Sequence, residues 1–363
     1  MSTLDKYLLR NNLFYVFLCL GLGVGLYILT DLYDRIDDFL EAGVGLGTIL
    51  LYFVVKIPLI ISQIMPLVFL LGVVLQLSLM GRSRELMALA TSGIPYARII
   101  RFFILYGLIW SCLQLAFSQF IGVFGEQKAY TIWKEEVRNK KLSERKLENI
   151  WFNDKTYIVK ADAVWPHKRQ GEGLTVYVLS QDRLKWESII HAESFSSTAS
   201  EFGDVTWILN KTKTFDPDGF MVSSEPSLTL PISLDIKSFL AIDPKQDPAQ
   251  LPLWQLSQVI HRLQASGSNV ESLRAAWHMK VAYAFSLAVM ALIGLTLVSL
   301  KDNIYFNTAL SITLAFTYFG LIMFGTAAAE KGLLPPPIGA WAANILFTAA
   351  TATHLLWHTR TRQ

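Results

Sequence analysis

The sequence is poor in cysteine and in charged residues. Only two of its 363 residues are cysteines, Cys19 and Cys112, and both lie inside long apolar runs. This argues against a disulfide framework and against a thiolate metal site. The net charge of +3 is too small to indicate a protein that binds nucleic acid. With 52% hydrophobic and 17% charged residues, the composition is instead typical of a membrane protein.

The sequence also lacks the motifs of several enzyme classes. It contains no G-x-x-x-x-G-K-[ST] phosphate loop, so the chain is not expected to hydrolyse ATP by itself. It contains no G-x-S-x-G nucleophile elbow, and the pair His354 and His358 lacks the glutamate of the H-E-x-x-H zinc motif. We therefore predict that this chain is not an enzyme and has no catalytic residues, metal site or bound cofactor.

Six apolar runs form two groups of three, separated by about 150 mostly polar residues. They span residues 13–33, 49–80, 99–123, 276–300, 304–328 and 335–357. Each reaches the roughly 20 residues that a helix needs to cross about 30 Å of hydrocarbon. We therefore predict six transmembrane helices, in segments 1–123 and 276–363, with an inserted domain over residues 124–275.

The positive charges of the short loops fall mainly on one side of the predicted helices. That side holds Lys6, Arg10, Arg82, Arg84, Arg98, Arg101, Lys301, Arg360 and Arg362, whereas the other holds Arg35 and Lys331. Because short loops rich in lysine and arginine stay in the cytoplasm, both termini are predicted to be cytoplasmic. The insert is then periplasmic if the chain lies in the inner membrane of a Gram-negative bacterium.

The insert is predicted to be all-β. Segments 155–160, 174–179, 188–195, 205–215 and 228–230 mix β-branched and aromatic residues with polar ones, and turn-forming clusters separate them. Many short antiparallel strands favour a sandwich or jelly roll. After Pro252, apolar residues at helical spacing predict an amphipathic helix that leads back to the membrane.

The loop after the second run has the sequence GRSRELMALATSGIP, residues 81–95. Ser83 is predicted to cap a short helix that has Glu85 in its first turn and ends at Gly93. The residues between them are too apolar to stay exposed to the cytosol. Two alternatives remain open, a helix that rests on the lipid surface and a helix that docks into a protein partner.

These features resemble those of a known permease family. The second run has Pro58 and Pro66 eight residues apart, followed by a leucine-rich stretch, an acidic residue and a small-residue helix that Gly93 closes. This pattern resembles the LptF/LptG (YjgP/YjgQ) family, the permease subunits of the lipopolysaccharide exporter. The segment GLLPPPIGAWAANILFTAA, residues 332–350, is similar to the LptG branch.

The resemblance implies an ABC-type exporter that extracts lipopolysaccharide from the inner membrane. Its partners would be an LptF-like second permease subunit, an LptB-like ATPase dimer that binds ATP and magnesium, and LptC- and LptA-like proteins forming a periplasmic bridge. The insert would be the family's periplasmic β-jelly roll. The loop helix near residues 83–93 would be the coupling helix, with Glu85 as its main polar contact beside Arg84, Leu86 and Leu89.

The resemblance also implies that the first and fifth helices are lateral gates for lipid. Candidate residues of the lipid path are Tyr33, Arg35, Lys56, Asn307, Ser311 and Tyr318. Ordinary helix packing is the alternative for the polar residues of the fifth helix. One departure from the family is the acidic group Asp34, Asp37, Asp38 and Glu41, which would repel lipid phosphates unless Arg35, Lys56 or a divalent cation intervenes.

Two further alternatives stay open. Lys56 lies inside the outer end of the second helix, where it would either contact lipid phosphate or extend its ammonium to the interface. The whole chain would alternatively be a membrane-anchored envelope scaffold whose periplasmic β domain binds a partner without transporting lipid. Co-purification with a phosphate-loop ATPase separates the transporter from the scaffold.

Overall fold

The computed structural model describes residues 2–138, 146–154, 156–180, 186–199, 205–217, 220–232, 236, 248–265, 269–301 and 303–361. The chain divides into two compact units. The helical unit comprises Met1–Ile132, Ala249–Leu253 and Glu271–Gln363, and the β unit comprises Trp133–Pro248 and Trp254–Val270.

Helices account for most of the described residues. They are α1 (Thr3–Ala42), α2 (Leu46–Arg82), α3 (Glu85–Thr91), α4 (Tyr96–Phe117), a π-helix (Ser118–Gly122), α5 (Val123–Ile132), a second π-helix (Trp133–Val137), α6 (Leu253–Ala265), α7 (Glu271–Leu300), α8 (Ile304–Glu330) and α9 (Pro336–Thr361). The described residues also include two short 3₁₀ turns, Pro166–Lys168 and Pro248–Gln250. The helix α6 lies where the spacing of apolar residues predicts an amphipathic helix.

Among the described residues, five helices are long and apolar enough to cross a membrane. They are α1, α2, the continuous helix Tyr96–Val137, α7 and α8. The sixth predicted run coincides with α9, which is 26 residues long and packs against α7 and α8 but is not among the five. Asn344, several threonines and His354 lower its hydrophobicity. The membrane-helical fold predicted from the sequence is confirmed, with five clear spans.

The two prolines of α2 lie inside the helix and remove backbone hydrogen bonds. Proline has no N–H, so Pro66 leaves the Ser62 carbonyl without its usual partner four residues later. The Gln114 side chain of α4 donates to this carbonyl at 2.8 Å, and the Tyr283 hydroxyl of α7 donates to the Gln63 carbonyl. Because hydrocarbon offers no water to satisfy a free carbonyl, the Gln114 side chain compensates for the hydrogen bond that Pro66 removes.

We expect Gln114→Leu to destabilise the helical unit by about 1–3 kcal/mol, because it leaves the Ser62 carbonyl buried without a donor. Thermal unfolding in detergent measures this loss. The control is Leu113→Ala, on the exposed side of the same helix. Equal melting temperatures for Gln114→Leu and the wild type would show that the carbonyl does not depend on this donor.

Small residues bring helices of the unit into close contact. Gly325 of α8 and Gly339 of α9 cross so tightly that a Cβ on either would overlap the carbonyl oxygen of the other. At the crossing of α1 and α2, a Cβ on Gly72 would lie 2.6 Å from Cγ2 of Val16. Close backbone approach of this kind is the usual way in which helices associate within lipid.

The β unit contains one antiparallel sheet of six strands. They are β1 (Leu147–Asp154), β2 (Tyr157–Trp165), β3 (Gln170–Leu179), β4 (Trp186–Ala199), β5 (Val205–Phe215) and β6 (Met221–Leu230), in that order across the sheet. The core of the sheet is built around Trp207, which is fully buried and stacks on Phe195 with ring centroids 5.2 Å apart. Register shifts at Val178 and Leu179 in the β3–β4 pair, and at Thr214 and Phe215 in the β5–β6 pair, lie near the ends of these strands.

The prediction of an inserted all-β domain is confirmed. The predicted strands lie within β2 to β6, apart from residue 155, which is outside the described residues, and Thr156, which lies in a turn. The strand β1 was missed because its sequence LENIWFND shows no clear alternation. Each described strand pairs with its neighbour in the chain, so the crossing connections that a jelly roll requires do not occur among the described strands.

Candidate functional site

The short helix α3 begins after an unusual backbone turn. Arg84 precedes it with φ 60°, in the left-handed region that residues other than glycine rarely adopt. The prediction that Ser83 caps α3 is therefore wrong, because the turn at Arg84 makes the helix begin at Glu85. Ser83 instead ends α2, and its hydroxyl donates to the Glu85 carboxylate at 2.9 Å. The predicted end is confirmed, with Gly93 at φ 80°.

The apolar residues of α3 divide between two faces. Leu86 and Leu89 pack against the core of the helical unit. Met87, with 65% of its surface exposed, lies with the exposed Ala88 and Ala90 on the other face. The rest of the chain therefore covers one apolar face of α3, and only the other face is exposed to a partner or to lipid. A cavity of about 430 Å³ lies beside α3, and both faces of the helix help to line it, through Leu86, Met87, Leu89 and Ala90.

Glu85 connects α3 to the start of α1. Its half-buried carboxylate accepts a 2.7 Å hydrogen bond from the Tyr7 hydroxyl, in addition to the bond from Ser83. A second hydrogen bond reaches the same end of α1, because Arg98 of α4 donates to the hydroxyl of Ser2 at 2.8 Å. Sequence reasoning placed Glu85 beside arginines and missed Tyr7, since the two residues are 78 positions apart.

A charge cluster joins α1 and α2 near the opposite end of these helices. Oδ1 of Asp31 lies 2.9 Å from Nε of Arg35, and Oδ2 of Asp31 lies 2.6 Å from Nζ of Lys56. Lys56 also donates to the Tyr52 hydroxyl at 3.1 Å, and its ammonium lies 5.9 Å from the ring centroid of Tyr27. Two cations and one carboxylate give these three side chains a net charge of +1.

The cluster shows where the ammonium of Lys56 lies. The residue is only 7% exposed, so its ammonium is held inside the chain and does not extend to the interface. Asp31, which the sequence analysis left out of the acidic group, is the residue that neutralises it. Intramembrane charges are normally paired in this way, because an unpaired charge in hydrocarbon is costly.

The outer surface of α1 is a continuous apolar stripe. Its exposed residues recur every three or four positions and comprise Phe14, Phe17, Leu18, Leu22, Leu26, Leu29, Tyr33, Ile36 and Leu40. Tyr33 is 81% exposed. Of the three glycines in this helix, Gly23 faces Ile64 of α2, whereas Gly21 and Gly25 have no neighbouring atoms within 4 Å of an added Cβ. This face of α1 is therefore open to lipid or to another subunit.

The candidate residues of α8 lie inside the helical unit. Asn307 donates to the Ser78 hydroxyl at 3.2 Å, and the Ser311 hydroxyl donates to the Thr308 carbonyl at 2.7 Å. The buried Tyr318 donates to the side chain of Asn344 on α9. The structure thus brings Arg35 and Lys56 together in one cluster and holds these three apart from it. The hydrogen bonds named here lie within α8 or join it to α2 and α9, and a place for these residues in a lipid path stays a prediction.

Comparison with known proteins identifies a family for this chain. The model of the family described as "Lipopolysaccharide export system permease LptF/LptG" matches residues 6–357. A search among curated proteins finds no match. The matched region includes both segments of membrane helices and the inserted sheet between them. The chain belongs to the LptF/LptG family of lipopolysaccharide export permeases.

Proposed function

We propose that the chain is the LptG-like permease subunit of an ABC-type exporter, which extracts lipopolysaccharide from the inner membrane and passes it to a periplasmic bridge. The family supports a role in lipopolysaccharide transport. The segment 332–350 supports the LptG branch, with an LptF-like chain as the second permease subunit. LptC- and LptA-like proteins would receive the lipid on the periplasmic side.

The observation that carries the energy-coupling part of the proposal is the geometry of α3. The helix presents Met87, Ala88 and Ala90 to the exterior, while Leu86 and Leu89 pack its other face against the unit. An apolar face of this size fits the groove of a cytoplasmic partner. We assign that partner as an LptB-like ATPase dimer, which binds ATP and magnesium and drives the exporter.

The charge cluster and the stripe on α1 support the lipid path. Arg35 and Lys56 place two cations together near this stripe, and we assign them to a lipid phosphate despite the acidic residues nearby. Tyr33 lies on the exposed stripe that acyl chains would follow. We assign Asn307, Ser311 and Tyr318 to the packing that positions α8 as the second side of the gate.

The proposed orientation places α3 in the cytoplasm and the β unit in the periplasm. We expect a single cysteine at Ser224 of β6 to react with a membrane-impermeant thiol reagent in intact spheroplasts, in a background without Cys19 and Cys112. A single cysteine at Thr91 of α3 serves as the matched control and should react only after lysis. Both positions are exposed in the structure. The reverse pattern would show that the orientation is inverted.

Affinity purification in mild detergent tests the exporter against the scaffold. The exporter should be recovered with a phosphate-loop ATPase, a second permease subunit and lipopolysaccharide. We expect ATPase binding to require the exposed face of α3. The variant Met87→Asp should therefore lose the ATPase, whereas the control Ser224→Asp, on the β unit, should retain it. Recovery of a periplasmic protein without any ATPase would favour the membrane-anchored scaffold.

A further inference from the structure

The sheet of the β unit has an apolar face and a polar face. Val159, Leu174 and Ala192 are fully buried and belong to the same core as Trp207. The next residues along these strands point to the opposite face, because side chains alternate along a strand. Residues that are directly opposed on neighbouring strands share a face. A row of opposed residues crosses all six strands on the polar face, and this polar row comprises Trp151, Lys160, Thr175, His191, Lys213 and Ser224.

An aromatic cluster of Trp151, Tyr177 and Trp186 lies beside the polar row. The ring planes of Trp151 and Tyr177 are 10° apart, and the ring centroid of Trp186 lies 5.2 Å from that of Tyr177. Trp151 is 54% exposed and Trp186 is 48% exposed. Aromatic side chains of this size gain most when they are buried, so their exposure together on a polar face indicates a binding surface.

Hydrogen-bonding groups border the aromatic cluster. The ammonium of Lys160 lies 5.8 Å from the ring centroid of Trp151 and 3.1 Å from Oδ1 of Asp162. On the next two strands, Oγ1 of Thr175 and Nδ1 of His191 are 2.9 Å apart. The polar face therefore offers ammonium, carboxylate, hydroxyl and imidazole groups to a ligand that also packs on the aromatic rings.

A pyranose sugar matches this combination of groups. One face of its ring carries C–H groups that pack on an aromatic ring, and its hydroxyls both donate and accept hydrogen bonds. An acyl chain would use only the aromatic cluster and would cover the polar row without forming hydrogen bonds, which is costly. Neighbouring strands lie about 4.8 Å apart, so the row from β1 to β5 extends over roughly 19 Å and accommodates several sugar rings.

We propose that the polar row and the aromatic cluster bind a chain of pyranose sugars, and that this chain is the saccharide of lipopolysaccharide. The source of the saccharide rests on the function proposed above, since the matching family is described as a lipopolysaccharide export permease. Lys160 and Lys213 place ammonium groups in the row, where a saccharide with anionic substituents makes ion pairs that a neutral glycan lacks. The β unit thus contacts the sugar part of the transported molecule.

Saturation-transfer NMR on the full-length protein in detergent micelles tests the site. The ligand is the saccharide that mild acid releases from lipopolysaccharide, which is free of acyl chains. We expect Trp151→Ala and Trp186→Ala each to weaken binding by roughly two- to tenfold, because each removes an aromatic contact. Trp151→Phe keeps a ring and should retain most of the binding. The matched control Trp254→Ala removes an exposed tryptophan of α6 and should leave binding unchanged.

Thermal unfolding verifies that the variants fold. If Trp151→Ala does not fold, His191→Ala replaces it, at an exposed position of the polar row, and should also weaken binding. Binding that is unchanged in the folded variants, or that Trp254→Ala weakens as much, would overturn the site. Equal binding of chitotetraose, a neutral glycan, would overturn the assignment of the saccharide to lipopolysaccharide.

Failure of this site and failure of the exporter give different results. The NMR assay requires neither the ATPase nor ATP, so it reports on the β unit alone. A chain that is purified without any ATPase and still binds the saccharide through Trp151 would contradict the exporter and support the site. A chain that exports lipopolysaccharide, and whose Trp151→Ala and Trp186→Ala variants bind the saccharide normally, would contradict only the site.

Discussion

Replacing Glu85 with lysine is expected to abolish lipid export. The carboxylate accepts hydrogen bonds from Tyr7 and Ser83, and an ammonium at this position accepts neither. Loss of a hydrogen-bonded charge at this half-buried position would cost on the order of 2–5 kcal/mol if the ATPase also covers it. Co-purification of the ATPase, ATP hydrolysis and lipopolysaccharide export are measured for Glu85→Lys and for Glu85→Ala. Normal values for both variants in all three assays would remove Glu85 from the coupling mechanism.

The Tyr7 hydroxyl separates two ways in which Glu85 can act. If Glu85 transmits movement of α3 to α1, Tyr7→Phe should leave ATPase binding intact and lower export, because the link between the two helices is lost. The positioning role then appears as a lower ratio of lipid exported to ATP hydrolysed. Tyr305→Phe, at an exposed position at the start of α8, is the matched control. An unchanged ratio for Tyr7→Phe would mean that Glu85 acts on the ATPase directly.

Removing the carboxylate of Asp31 is expected to destabilise the helical unit strongly. Asp31→Asn leaves the buried ammonium of Lys56 without its carboxylate partner and removes the ion pair between Asp31 and Arg35. Breaking a buried ion pair by removing one partner typically costs about 3–5 kcal/mol, because the other charge stays buried and uncompensated. Thermal unfolding in detergent should show a large decrease in melting temperature for this variant.

The double variant Asp31→Asn/Lys56→Met provides the control for this prediction. It removes the buried cation together with its partner, so it should be clearly more stable than Asp31→Asn alone. Lipopolysaccharide binding should nevertheless fall in the double variant, because Lys56 is one of the two cations assigned to the lipid phosphate. If the losses of the two single variants simply add in the double variant, the ion pair does not contribute in the way that its geometry implies.

The membrane helices and the β insert follow from local patterns in the sequence. A sufficiently long apolar run predicts a membrane helix, because a helix satisfies its backbone hydrogen bonds within the segment. This prediction does not depend on tertiary contacts. The strand β1 and the start of α3 could not be predicted in the same way. The sequence of β1 alternates only weakly, and α3 begins after the left-handed backbone of Arg84, for which the sequence has no clear local signal. The two prolines of α2 are evident in the sequence, but the Gln114 side chain that donates to the Ser62 carbonyl is not.

The candidate site was less predictable because its contacts join distant residues. Glu85 and Lys56 were identified from their residue type and position, yet their partners Tyr7 and Asp31 depend on how α1 packs against its neighbours. The same holds for Asn307 of α8. A polar residue in a membrane helix can face lipid or the interior of the protein. The rotation of the helix about its axis decides which of the two it faces, and Asn307 faces the interior.

Reconstituted transport tests the central claim most directly. The chain is placed in proteoliposomes with its second permease subunit and the phosphate-loop ATPase, and lipopolysaccharide transfer to a soluble periplasmic acceptor is followed by photo-crosslinking. We predict that transfer requires ATP and is lost in Glu85→Lys. Transfer that proceeds equally without ATP, or ATP hydrolysis with no lipopolysaccharide reaching the acceptor, would contradict the assignment of this chain as an ATP-driven lipopolysaccharide permease.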